Sequence, residues 1–541
     1  MKRIQLLLIP CLLVFQLTAQ TLTSSNLPLI IINTNGQTIP DEPKITADMG
    51  IIYNGPGIRN NIGDPFNHYN GKIGIEIRGK SSQMFPMKSY SIELRDIAGI
   101  SQDKSLFGLP KESDWVLYAP YNDKTLMHNF LAYTMARELG RWAANCRFVE
   151  VVINGDYKGI YVFMEKIKRG SGRVNITKMA TTDISGDAVS GGYIFSLDKD
   201  PDGWFSSFPV PNSTNANKRQ FSYVYPKVEN IVQQQKDYIK SYVDSFEYAL
   251  AAPGFQNPVN GVRKFADIAS FIDYFIVNEA SRNVDAYRLS SYFYKDRNSK
   301  NSKIFAGPVW DYDLAFRNAN YCEGSNTTGW AYLFNYICPG DGAGLIPFWW
   351  EKLMTDSAFK SSLRCRWKQV RQTSLGLNRV NFLVDSIVNL TAEARQRHFQ
   401  RWPVLGQYVW PNPQPIPATY DEEISVLKDW LANRLKWMDA NIPNSGACFD
   451  YPATVKESVI VSLYPNPVRD QLSVKVESRY NQQLQVRVFD ISGRVIHSYS
   501  YSVASGTNQL QIQTDGWSAG VYILQYKAAS GEKGARKVLK E

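Results

Sequence analysis

Three aspartates lie in a stretch whose other residues are mostly apolar or aromatic. Asp285 is part of residues 283–288 (NVDAYR), and Asp311 and Asp313 are part of residues 307–313 (GPVWDYD), which follow a predicted β-hairpin. If the second segment is extended, Asp311 and Asp313 face the same side, with their Cα atoms about 7 Å apart. Carboxylates this close raise each other's pKa unless a cation intervenes, and an oxygen-preferring ion such as Mg²⁺ suits that position. The spacing therefore indicates a divalent-metal site.

A metal-free interpretation of the same pair stays open. An aspartate that follows tryptophan can close a turn through its own backbone. Alternatively, Arg282, Arg288 or Arg317 could neutralise the carboxylates directly. The residues farther upstream favour the metal.

A basic hairpin is predicted upstream. Residues 71–96 alternate in polarity on both sides of a polar centre, which is typical of two strands joined by a loop. Residues 78–82 (RGKSS) combine the donors of Arg78 and Ser81 with a glycine that lets the backbone approach a ligand. Lys88, on the returning strand, could reach the same point as a single charge. The loop favours phosphate as its ligand, although an ordinary solvated hairpin tip would have a similar composition.

The chain contains five distinctive blocks, which are residues 78–90, 114–125, 149–166, 278–288 and 307–313. Together they resemble the CotH (spore-coat protein H) kinase-like family, whose members are atypical kinases distantly related in fold to protein kinases. The resemblance extends from about Leu27 to Ile442 and implies an α+β fold with an atypical protein-kinase-like catalytic domain.

The resemblance implies roles for the three aspartates. Asp285 would be the catalytic residue that accepts the hydroxyl proton of the acceptor. Asp311 would bind the metal, and Asp313 would be a helper or second ligand. The implied reaction is transfer of the γ-phosphoryl group of ATP to a protein hydroxyl with the help of Mg²⁺ or Mn²⁺. Such a reaction asks a protein mainly for positioning and for cations around the transferred group.

The same resemblance implies a set of nucleotide-binding residues. Arg78, Ser81 and Lys88 would hold phosphates, and Glu165 would orient Lys88 or help with the metal. Glu165 follows an apolar strand, where a carboxylate can equally be a solvated terminus. The chain departs from the family at Lys80, where asparagine is common, so the loop gains a charge and loses an acceptor.

Two other classes of function stay open. CotH-like proteins include structural or adhesive members, so a catalytically silent surface binding or adhesion protein is the alternative to a kinase. A carbohydrate-active enzyme could use Asp285 and Asp311 as acid and base, which would require a separation of about 5 to 9.5 Å. Sequence spacing does not establish that distance.

Composition sets limits on these interpretations. The chain has 541 residues, 44% of them hydrophobic and 13% aromatic, with a formal charge of +10. This length predicts two or more domains. The positive charge is modest and forms no dense run, so the sequence does not indicate nucleic-acid binding.

The N-terminus has the features of a signal peptide. Lys2 and Arg3 precede an apolar core, and a small-residue cleavage site ends at Ala19, so residues 1–19 should be removed. A membrane anchor is the alternative, but the apolar stretch is short and is interrupted by Pro10 and Gln16. No transmembrane segment is predicted in the mature chain, residues 20–541.

The predicted destination is oxidising, so disulfides are expected. Cys322 and Cys338 could close a loop beside the predicted site. The mature chain holds five cysteines, so at least one thiol should stay free.

Helices are predicted in the last part of the predicted kinase-like domain (residues 20–442). Apolar residues recur at three- and four-residue spacing in residues 359–372, 380–399 and 422–440. The tryptophans in and beside these helices could stack on adenine or a sugar, but at helical spacing they are expected in the core.

A different module follows a predicted linker, residues 443–458. Residues 459–541 predict a small immunoglobulin-like β-sandwich with short alternating strands. Its motifs resemble the type A C-terminal sorting domain of the type IX secretion system, although a generic adhesive module is an alternative. The resemblance implies that secretion machinery binds this module and exports the protein across the outer membrane to the cell surface or medium. The strands are predicted at residues 471–476, 484–490, 495–501, 509–513, 520–528 and 533–540, and the motifs are residues 463–467 (LYPNP), 488–494 (VFDISGR), 520–522 (GVY) and 537–541 (KVLKE).

Overall fold

The computed structural model describes residues 22–199, 202–213, 217–340, 344–443, 459–478, 482–504, 506–528 and 533–541. These residues form both sheets and helices, which confirms the α+β class. The predicted signal peptide and residues 444–458 of the predicted linker lie outside the described residues. In the described ranges, no helix is both long and apolar enough to cross a membrane.

Strands and helices of the described residues share one chain-order numbering. The strands are β1 (Ser24–Ser25), β2 (Leu29–Asn33), β3 (Ile45–Ile52), β4 (Asn60–Asn61), β5 (Tyr69–Arg78), β6 (Ser89–Arg95), β7 (Asp114–Tyr118), β8 (Cys146–Ile153), β9 (Asp156–Glu165), β10 (Tyr193–Leu197), β11 (Gly203–Pro209), β12 (Lys218–Tyr225), β13 (Ser291–Lys295), β14 (Ile304–Ala306), β15 (Val459–Tyr464), β16 (Gln471–Ser478), β17 (Gln482–Asp490), β18 (Val495–Val503), β19 (Gly506–Gln513), β20 (Gly520–Ala528) and β21 (Lys533–Lys540). The helices are α1 (His128–Glu138), α2 (Gly186–Val189), α3 (Gln233–Ala251), α4 (Ile268–Ser281), α5 (Asn298–Asn301), α6 (Phe334–Ile337), α7 (Trp349–Leu353), α8 (Ser357–Arg371), α9 (Leu377–Thr391), α10 (Ala394–Arg401) and α11 (Tyr420–Asn441).

Seven strands of the N-terminal part close into a barrel in the order β2, β3, β5, β6, β7, β9, β8. Neighbouring strands are antiparallel except for β2 and β8, which are parallel. Because successive side chains point to opposite faces of a strand, every second residue can face the interior. Apolar side chains form a core there, among them Ile73, Ile92, Trp115 and Phe163.

The predicted basic hairpin is the β5–β6 pair of this barrel. Its register runs from Lys72 opposite Arg95 to Arg78 opposite Ser89, so residues 79–88 form the loop. The loop contains a short 3₁₀ helix, Ser81–Met84. The hairpin prediction is confirmed, and the barrel fixes both ends of the loop.

A second sheet, with five antiparallel strands in the order β11, β12, β10, β13, β14, lies beside the helices. β13 and β14 are the hairpin predicted ahead of Asp311, with Phe293 opposite Ala306. Helix α4 is buried along most of its length and contacts β14, α1, α8 and α11. Its largely apolar sequence suits this central position. The segment that carries Asp285 therefore begins at the end of an enclosed helix.

The three predicted C-terminal helices are present with one difference. The stretch predicted as a single helix at residues 380–399 forms α9 and α10, which are separated near Glu393. The Glu393 carboxylate accepts both terminal N–H groups of Arg59 from the N-terminal part of the chain, each at 2.8 Å. The local spacing of apolar residues does not reveal a contact between residues so far apart in the chain, so the break between the two helices was not predicted. The expectation of core tryptophans is confirmed for Trp349, Trp350 and Trp367, which are buried.

The cysteine prediction is confirmed. Cys322 and Cys338 form a disulfide with their Cα atoms 5.4 Å apart. Cys365 is also disulfide-bonded. Among the described cysteines, the buried Cys146 is the free thiol.

Two antiparallel sheets form the C-terminal module, with the orders β15, β16, β19 and β18, β17, β20, β21. Their buried side chains share one apolar core, which includes Val474, Val486 and Leu524. All six predicted strands are present, and β15 is an additional strand. The prolines at 465 and 467 follow β15, where they end the strand.

The buried pair of Arg434 on α11 and Glu279 on α4 generates a stability prediction. Both side chains are fully buried and their charged atoms lie 3.0 Å apart. Replacement Arg434→Met leaves the Glu279 carboxylate without its cation, so we expect a loss of about 3–5 kcal/mol of unfolding free energy. Urea unfolding followed by tryptophan fluorescence measures the change.

A matched control is available on the same helix. Lys428 pairs with Asp385 at the surface, with exposures of 30% and 52%. Lys428→Met should therefore cost no more than about 1 kcal/mol. Equal effects of the two replacements would contradict the assignment of Arg434 as the buried counter-ion.

Candidate active site

The Asp285 segment starts where α4 ends. Arg282 terminates the helix in a left-handed conformation, with a φ of 44°. The side chain of Asn283 follows, and its Oδ1 accepts the Asp285 N–H at 3.1 Å. Its Nδ2 donates to the Asp311 carbonyl at 3.1 Å. One buried amide therefore connects the Asp285 segment to the Asp311 segment.

Residues 307–313 do not form the extended segment that was predicted from the sequence. No strand covers them, and Asp311 has a left-handed φ of 63°. Side chains of α1 hold this backbone: the Asp311 N–H donates to the Tyr133 hydroxyl at 3.2 Å, and the Tyr312 N–H donates to Asn129 Oδ1 at 2.7 Å. The prediction of strand alternation is therefore wrong, because helix side chains satisfy this backbone instead of a neighbouring strand.

Buried amides position Asp313. Asn122 Nδ2 donates to Asp313 Oδ2 at 3.1 Å, and Asn318 Nδ2 donates to the Asp313 carbonyl at 2.8 Å. Asn412 Nδ2 lies 2.8 Å from the Asn122 carbonyl and 2.7 Å from Asn318 Oδ1. All three asparagines are buried. Because displacing them would leave buried polar groups unsatisfied, they fix the position of the Asp313 carboxylate.

The two carboxylates lie in a cleft that solvent reaches but that protein surrounds. Asp311 is exposed and Asp313 is half-buried, yet the surrounding protein removes enough hydration to raise the pKa of both carboxyl groups. The charge of Asp313 raises the pKa of Asp311 further, whereas Arg78 lowers it. The Asn122 hydrogen bond lowers the pKa of Asp313, and the charge of Asp285 raises it. The negative charges of Asp311 and Asp313 are therefore only partly compensated by the groups around them.

One of the two metal-free interpretations placed an arginine beside this pair. Among the described residues, each of the three arginines bonds to a group outside the Asp311 and Asp313 pair. The bonds are those of Arg288 with Asp285 at 2.7 Å, Arg282 with Glu323 at 3.2 Å, and Arg317 with the carbonyl groups of Pro413 and Pro415 at 3.3 and 2.8 Å.

Asp285 is half-buried and is oriented by Arg288. Arg288 is buried, its Nε donates to the Val284 carbonyl at 2.9 Å, and its guanidinium lies 4.1 Å from the ring centroid of Phe334. Its Nη2 donates to Asp285 Oδ1. A guanidinium held on several sides fixes the orientation of the carboxylate that it binds.

Two polar residues of the cleft were not predicted from the sequence. Ser290 Oγ lies 3.3 Å from Asp311 Oδ2 and 3.4 Å from Asp198 Oδ2. Asp198 directly follows β10, and its charge raises the pKa of Asp311. The sequence offered one indication of Asp198, which is an acidic residue directly after the largely apolar residues 193–197. The sequence does not reveal that β10 pairs with β13, and this pairing brings Asp198 to the site.

The predicted phosphate loop contributes Arg78 to the cleft. Its guanidinium lies 5.5 Å from the ring centroid of Trp310, and its buried Nη1 has no hydrogen-bond partner among the described residues. Gly79 has a φ of 94°, and a Cβ there would lie 2.1 Å from Ser82 Oγ, so the tight loop requires glycine. Ser81 is exposed at the start of the 3₁₀ helix.

Lys88 and Glu165 make contacts within the barrel and its loop. Lys88 Nζ donates to the Gln83 carbonyl. Glu165 is fully buried, and its Oε2 accepts the backbone and side-chain N–H groups of Asn145 at 2.9 and 2.8 Å. Its Oε1 lies 3.9 Å from Arg173 Nε. The described contacts do not join Glu165 to Lys88, and the roles assigned to these two residues stay predictions.

The cleft residues fit a divalent cation that arrives with a phosphate ligand. In the described part of the chain, no group of three or more His, Cys, Asp or Glu side chains is arranged to hold a metal. Asp311 and Asp313 offer two carboxylates, and Mg²⁺ is typically held by one or two carboxylates together with substrate phosphates and water. The buried Tyr118 hydroxyl near Asp313 has no hydrogen-bond partner in the described ranges, so a polar group there is also unsatisfied.

A family model described as CotH kinase protein matches residues 75–438, more than half of the chain. The chain belongs to the CotH kinase protein family. A second model, described as Secretion system C-terminal sorting domain, matches residues 462–541 of this CotH-family chain. Both resemblances seen in the sequence are confirmed.

No curated protein matches this CotH-family chain significantly. Among solved structures, the crystal structure of dimeric latent PorU from Porphyromonas gingivalis matches part of it at 19% identity and a TM-score of 0.14. The match covers 15% of this chain and 9% of the PorU chain, so the chain spans only a small part of that protein's length. This local similarity does not bear on the function of the whole chain.

The raised pKa values of Asp311 and Asp313 generate a prediction about pH and metal. In chelator, the native carboxyl groups keep protons at a pH where unfolded aspartates have lost them, so stability falls as pH rises from about 5 to about 8. Asp313→Asn removes the repulsion between Asp311 and Asp313, so its melting temperature should rise above that of the parent chain by a few degrees at about pH 8. Thermal unfolding in chelator measures this difference.

The stabilisation that divalent metal gives should instead increase as the pH rises. Mg²⁺ or Mn²⁺ should stabilise the parent chain more at about pH 8 than at about pH 5, because ionised carboxylates bind the cation. Asp313→Asn should weaken this metal effect. Equal metal-induced shifts in both proteins would contradict a cation at the Asp311 and Asp313 pair.

Proposed function

We propose that this CotH-family protein is a secreted atypical kinase, which transfers the γ-phosphoryl group of ATP to a protein hydroxyl with the help of Mg²⁺ or Mn²⁺. The observation that carries the proposal is the incompletely compensated pair of Asp311 and Asp313, with Asp285 and Arg78 close enough to act on its charge. Membership of the CotH kinase protein family supports the use of ATP.

The proposed step is direct transfer. The acceptor oxygen forms a bond to the γ-phosphorus, the bond from that phosphorus to the bridging oxygen of ADP breaks, and the acceptor proton passes to Asp285. Arg288 keeps the Asp285 carboxylate oriented toward the cleft during this step. A cation at Asp311 and Asp313 would supply positive charge beside the phosphates.

Two predicted residues of the loop and two residues that the sequence did not predict have defined places in this proposal. Arg78 donates to phosphate through the N–H groups that the described residues leave unsatisfied. Ser81 is exposed at the start of the loop helix and adds a hydroxyl donor. Ser290 and Asp198 extend the polar lining around Asp311. The surrounding charges therefore divide the cleft into a cationic side at Arg78 and an acidic side at the aspartates.

The C-terminal module determines where the reaction takes place. The sorting domain indicates secretion across the outer membrane to the cell surface or medium, through the type IX secretion machinery. We propose the boundaries predicted above: a signal peptide at residues 1–19, a kinase-like domain at 20–442, a linker at 443–458 and an immunoglobulin-like sorting domain at 459–541. The acceptor is then a protein that the chain meets during or after export.

Phosphate transfer gives the direct test of the proposed reaction. The full chain, incubated with γ-labelled ATP and Mg²⁺ or Mn²⁺, should label itself or added casein. Asp285→Asn should lower the rate about 100-fold to 10,000-fold, because a general base contributes that much. Asp311→Asn should abolish the metal-dependent rate, and chelator should do the same in the parent chain.

Asp237→Asn, at an exposed position on α3, is the matched control and should leave labelling unchanged. Labelling that persists in Asp285→Asn would contradict the assigned base. No labelling by the folded parent chain, with no nucleotide-dependent rise in melting temperature, would favour a catalytically silent binding protein. Glycoside hydrolysis that continues in chelator would instead favour the carbohydrate-active alternative.

Removal of residues 459–541 tests the sorting function. The truncated protein should accumulate in the periplasm, whereas the full chain should appear at the cell surface or in the medium. Immunoblots of fractionated cells measure the distribution. The full-length Asp285→Asn protein should be exported like the parent chain, since the proposed base has no role in sorting. Export of the truncated protein would contradict the assignment.

A further inference from the structure

A disulfide closes the chain segment that follows the active-site aspartates. Cys322 and Cys338 form this bond across a sequence separation of 16, and residues 322–338 are the disulfide loop. Both cysteines are half-buried, so solvent reaches them. The loop contacts Arg282 near its first end and Arg288 near its second end. These two arginines lie on either side of the proposed base in the sequence.

The first end of the disulfide loop binds Arg282. This side chain is buried at the end of α4, directly before residues 283–288. Its Nε donates to the Glu323 carbonyl at 3.1 Å, and its Nη2 donates to Glu323 Oε2 at 3.2 Å. Its buried Nη1 has no hydrogen-bond partner among the described residues. Each described hydrogen bond of this guanidinium therefore goes to Glu323, which directly follows Cys322.

The backbone at this first end is strained. Cys322 and Glu323 have left-handed φ angles of 48° and 55°. Such a conformation is unfavourable for residues other than glycine and persists where surrounding contacts impose it. The disulfide is one of these contacts. Without it, the turn would relax and Glu323 would withdraw from Arg282, which would leave a buried cation without its hydrogen bonds.

The second end of the disulfide loop covers Arg288. Phe334 is buried, and its ring centroid lies 4.1 Å from the guanidinium carbon of Arg288. Arg288 Nη2 in turn donates to Asp285 Oδ1 at 2.7 Å. The proposed base is therefore held from both sides, through Arg282 before it and through Arg288 after it.

This second end is anchored to the rest of the domain. Asn335 Oδ1 accepts the Ile346 N–H at 2.7 Å, and Asn335 Nδ2 donates to the Ile346 carbonyl at 2.8 Å. The Cys338 N–H donates to the Phe334 carbonyl at 2.8 Å, so the cysteine belongs to the same anchored turn. The disulfide thus ties the strained end of the loop to a fixed point.

We propose that the disulfide loop positions Asp285 for proton transfer and that reduction of the Cys322–Cys338 bond slows phosphoryl transfer. This inference rests on the proposed kinase function and adds a control to it. Two electrons and two protons from a small dithiol convert the bond into two thiols, and the dithiol becomes a disulfide. The chain would therefore transfer phosphate slowly where thiols are kept reduced, and at full rate where disulfides form during export.

Hydrogen exchange in the full chain tests the positioning without relying on activity. We expect the amides of residues 283–288 to exchange about 100-fold faster in Cys322→Ser/Cys338→Ser than in the parent chain, because closing a loop of this length restrains it by about that factor. Amides of β5 should exchange at the same rate in both proteins, since the disulfide loop is not part of the barrel. Mass spectrometry of peptides measures both rates.

Phosphate labelling measures the effect on the reaction. Treatment of the parent chain with a dithiol should lower kcat about 10-fold to 100-fold, as a displacement of about 1 Å at a catalytic group does. The KM for ATP should change less than about 2-fold, because Arg78, Asp311 and Asp313 lie outside the disulfide loop. Reoxidation should restore kcat. The double serine variant should be as slow as the reduced parent chain, and dithiol should not change its rate.

Substitutions at Glu323 test its role as a positioning residue. Glu323→Ala removes one of the two oxygens that Arg282 uses, so kcat should fall about 10-fold. Glu323→Gln keeps an acceptor oxygen at that position and should recover most of the loss. Tyr336→Leu is the matched control in the same loop and should change neither kcat nor exchange, because that side chain is 53% exposed.

Cys365→Ser is the control for the dithiol. Cys365 takes part in a different disulfide, which the dithiol also reduces. Its replacement should leave labelling and the exchange of residues 283–288 unchanged. A rate that falls as much in Cys365→Ser as in the reduced parent chain would assign the effect to that other bond and overturn the inference.

The remaining outcomes separate this inference from the function on which it rests. Transfer at the parent rate by the double serine variant overturns the inference and leaves the proposed kinase function standing. An oxidised parent chain that transfers no phosphate overturns both. Exchange that accelerates equally in residues 283–288 and in β5, with a lower melting temperature, shows a general stabilising role of the disulfide and overturns the inference.

Discussion

The cleft depends on holding Asp311 and Asp313 close together although their charges repel each other. The left-handed backbone at Asp311 adds a conformational cost of about 1–3 kcal/mol. Polar side chains that are buried or largely buried hold the segment in place, and each would lose a hydrogen bond if the segment moved. They come from positions far apart in the chain: Asn122, Asn129, Tyr133, Asn283 and Asn318. The repulsion is thus maintained by the packed elements around it, and a bound cation would relieve it.

A second carboxylate in the same domain has the compensation that the aspartate pair lacks. Glu279 is fully buried near the end of α4, where Arg434 Nη2 donates to it at 3.0 Å. It also accepts the Tyr287 hydroxyl and the N–H groups of Ala331 and Tyr332. This network joins α4, α11 and the loop that follows the Asp311 segment, so it stabilises the helix from whose end the Asp285 segment extends. The fold therefore surrounds the Glu279 carboxylate with a full set of hydrogen-bond donors. At Asp311 and Asp313 it provides fewer donors than the carboxylates can accept.

The sequence predicted the local elements well and the long-range geometry poorly. Alternating polarity located the β5–β6 hairpin, and the spacing of apolar residues located α8 and α11, because these patterns follow from strand and helix geometry alone. The left-handed conformation of Asp311 could not be predicted, since it depends on Tyr133 and Asn129 in a distant helix. The approach of Asp198 depends on strand pairing that the sequence does not encode locally. The sequence was thus sufficient to predict which residue types lie near Asp311. Their geometry could not be predicted, because it depends on contacts between distant parts of the chain.

The division of charge across the cleft relates the proposed chemistry to the export of the protein. Arg78 forms a basic side of the cleft, next to the acidic side formed by the aspartates. A lone cation would relieve the acidic side alone, and a lone phosphate would relieve the basic side alone. A nucleotide that carries its own divalent metal would neutralise both sides at once. It would therefore bind more tightly than the metal or the phosphate alone. Because nucleotide is scarce outside the cytoplasm, an exported kinase would need such coupled binding in order to use it. An adhesive surface would gain nothing from holding two like charges together without a full counter-charge.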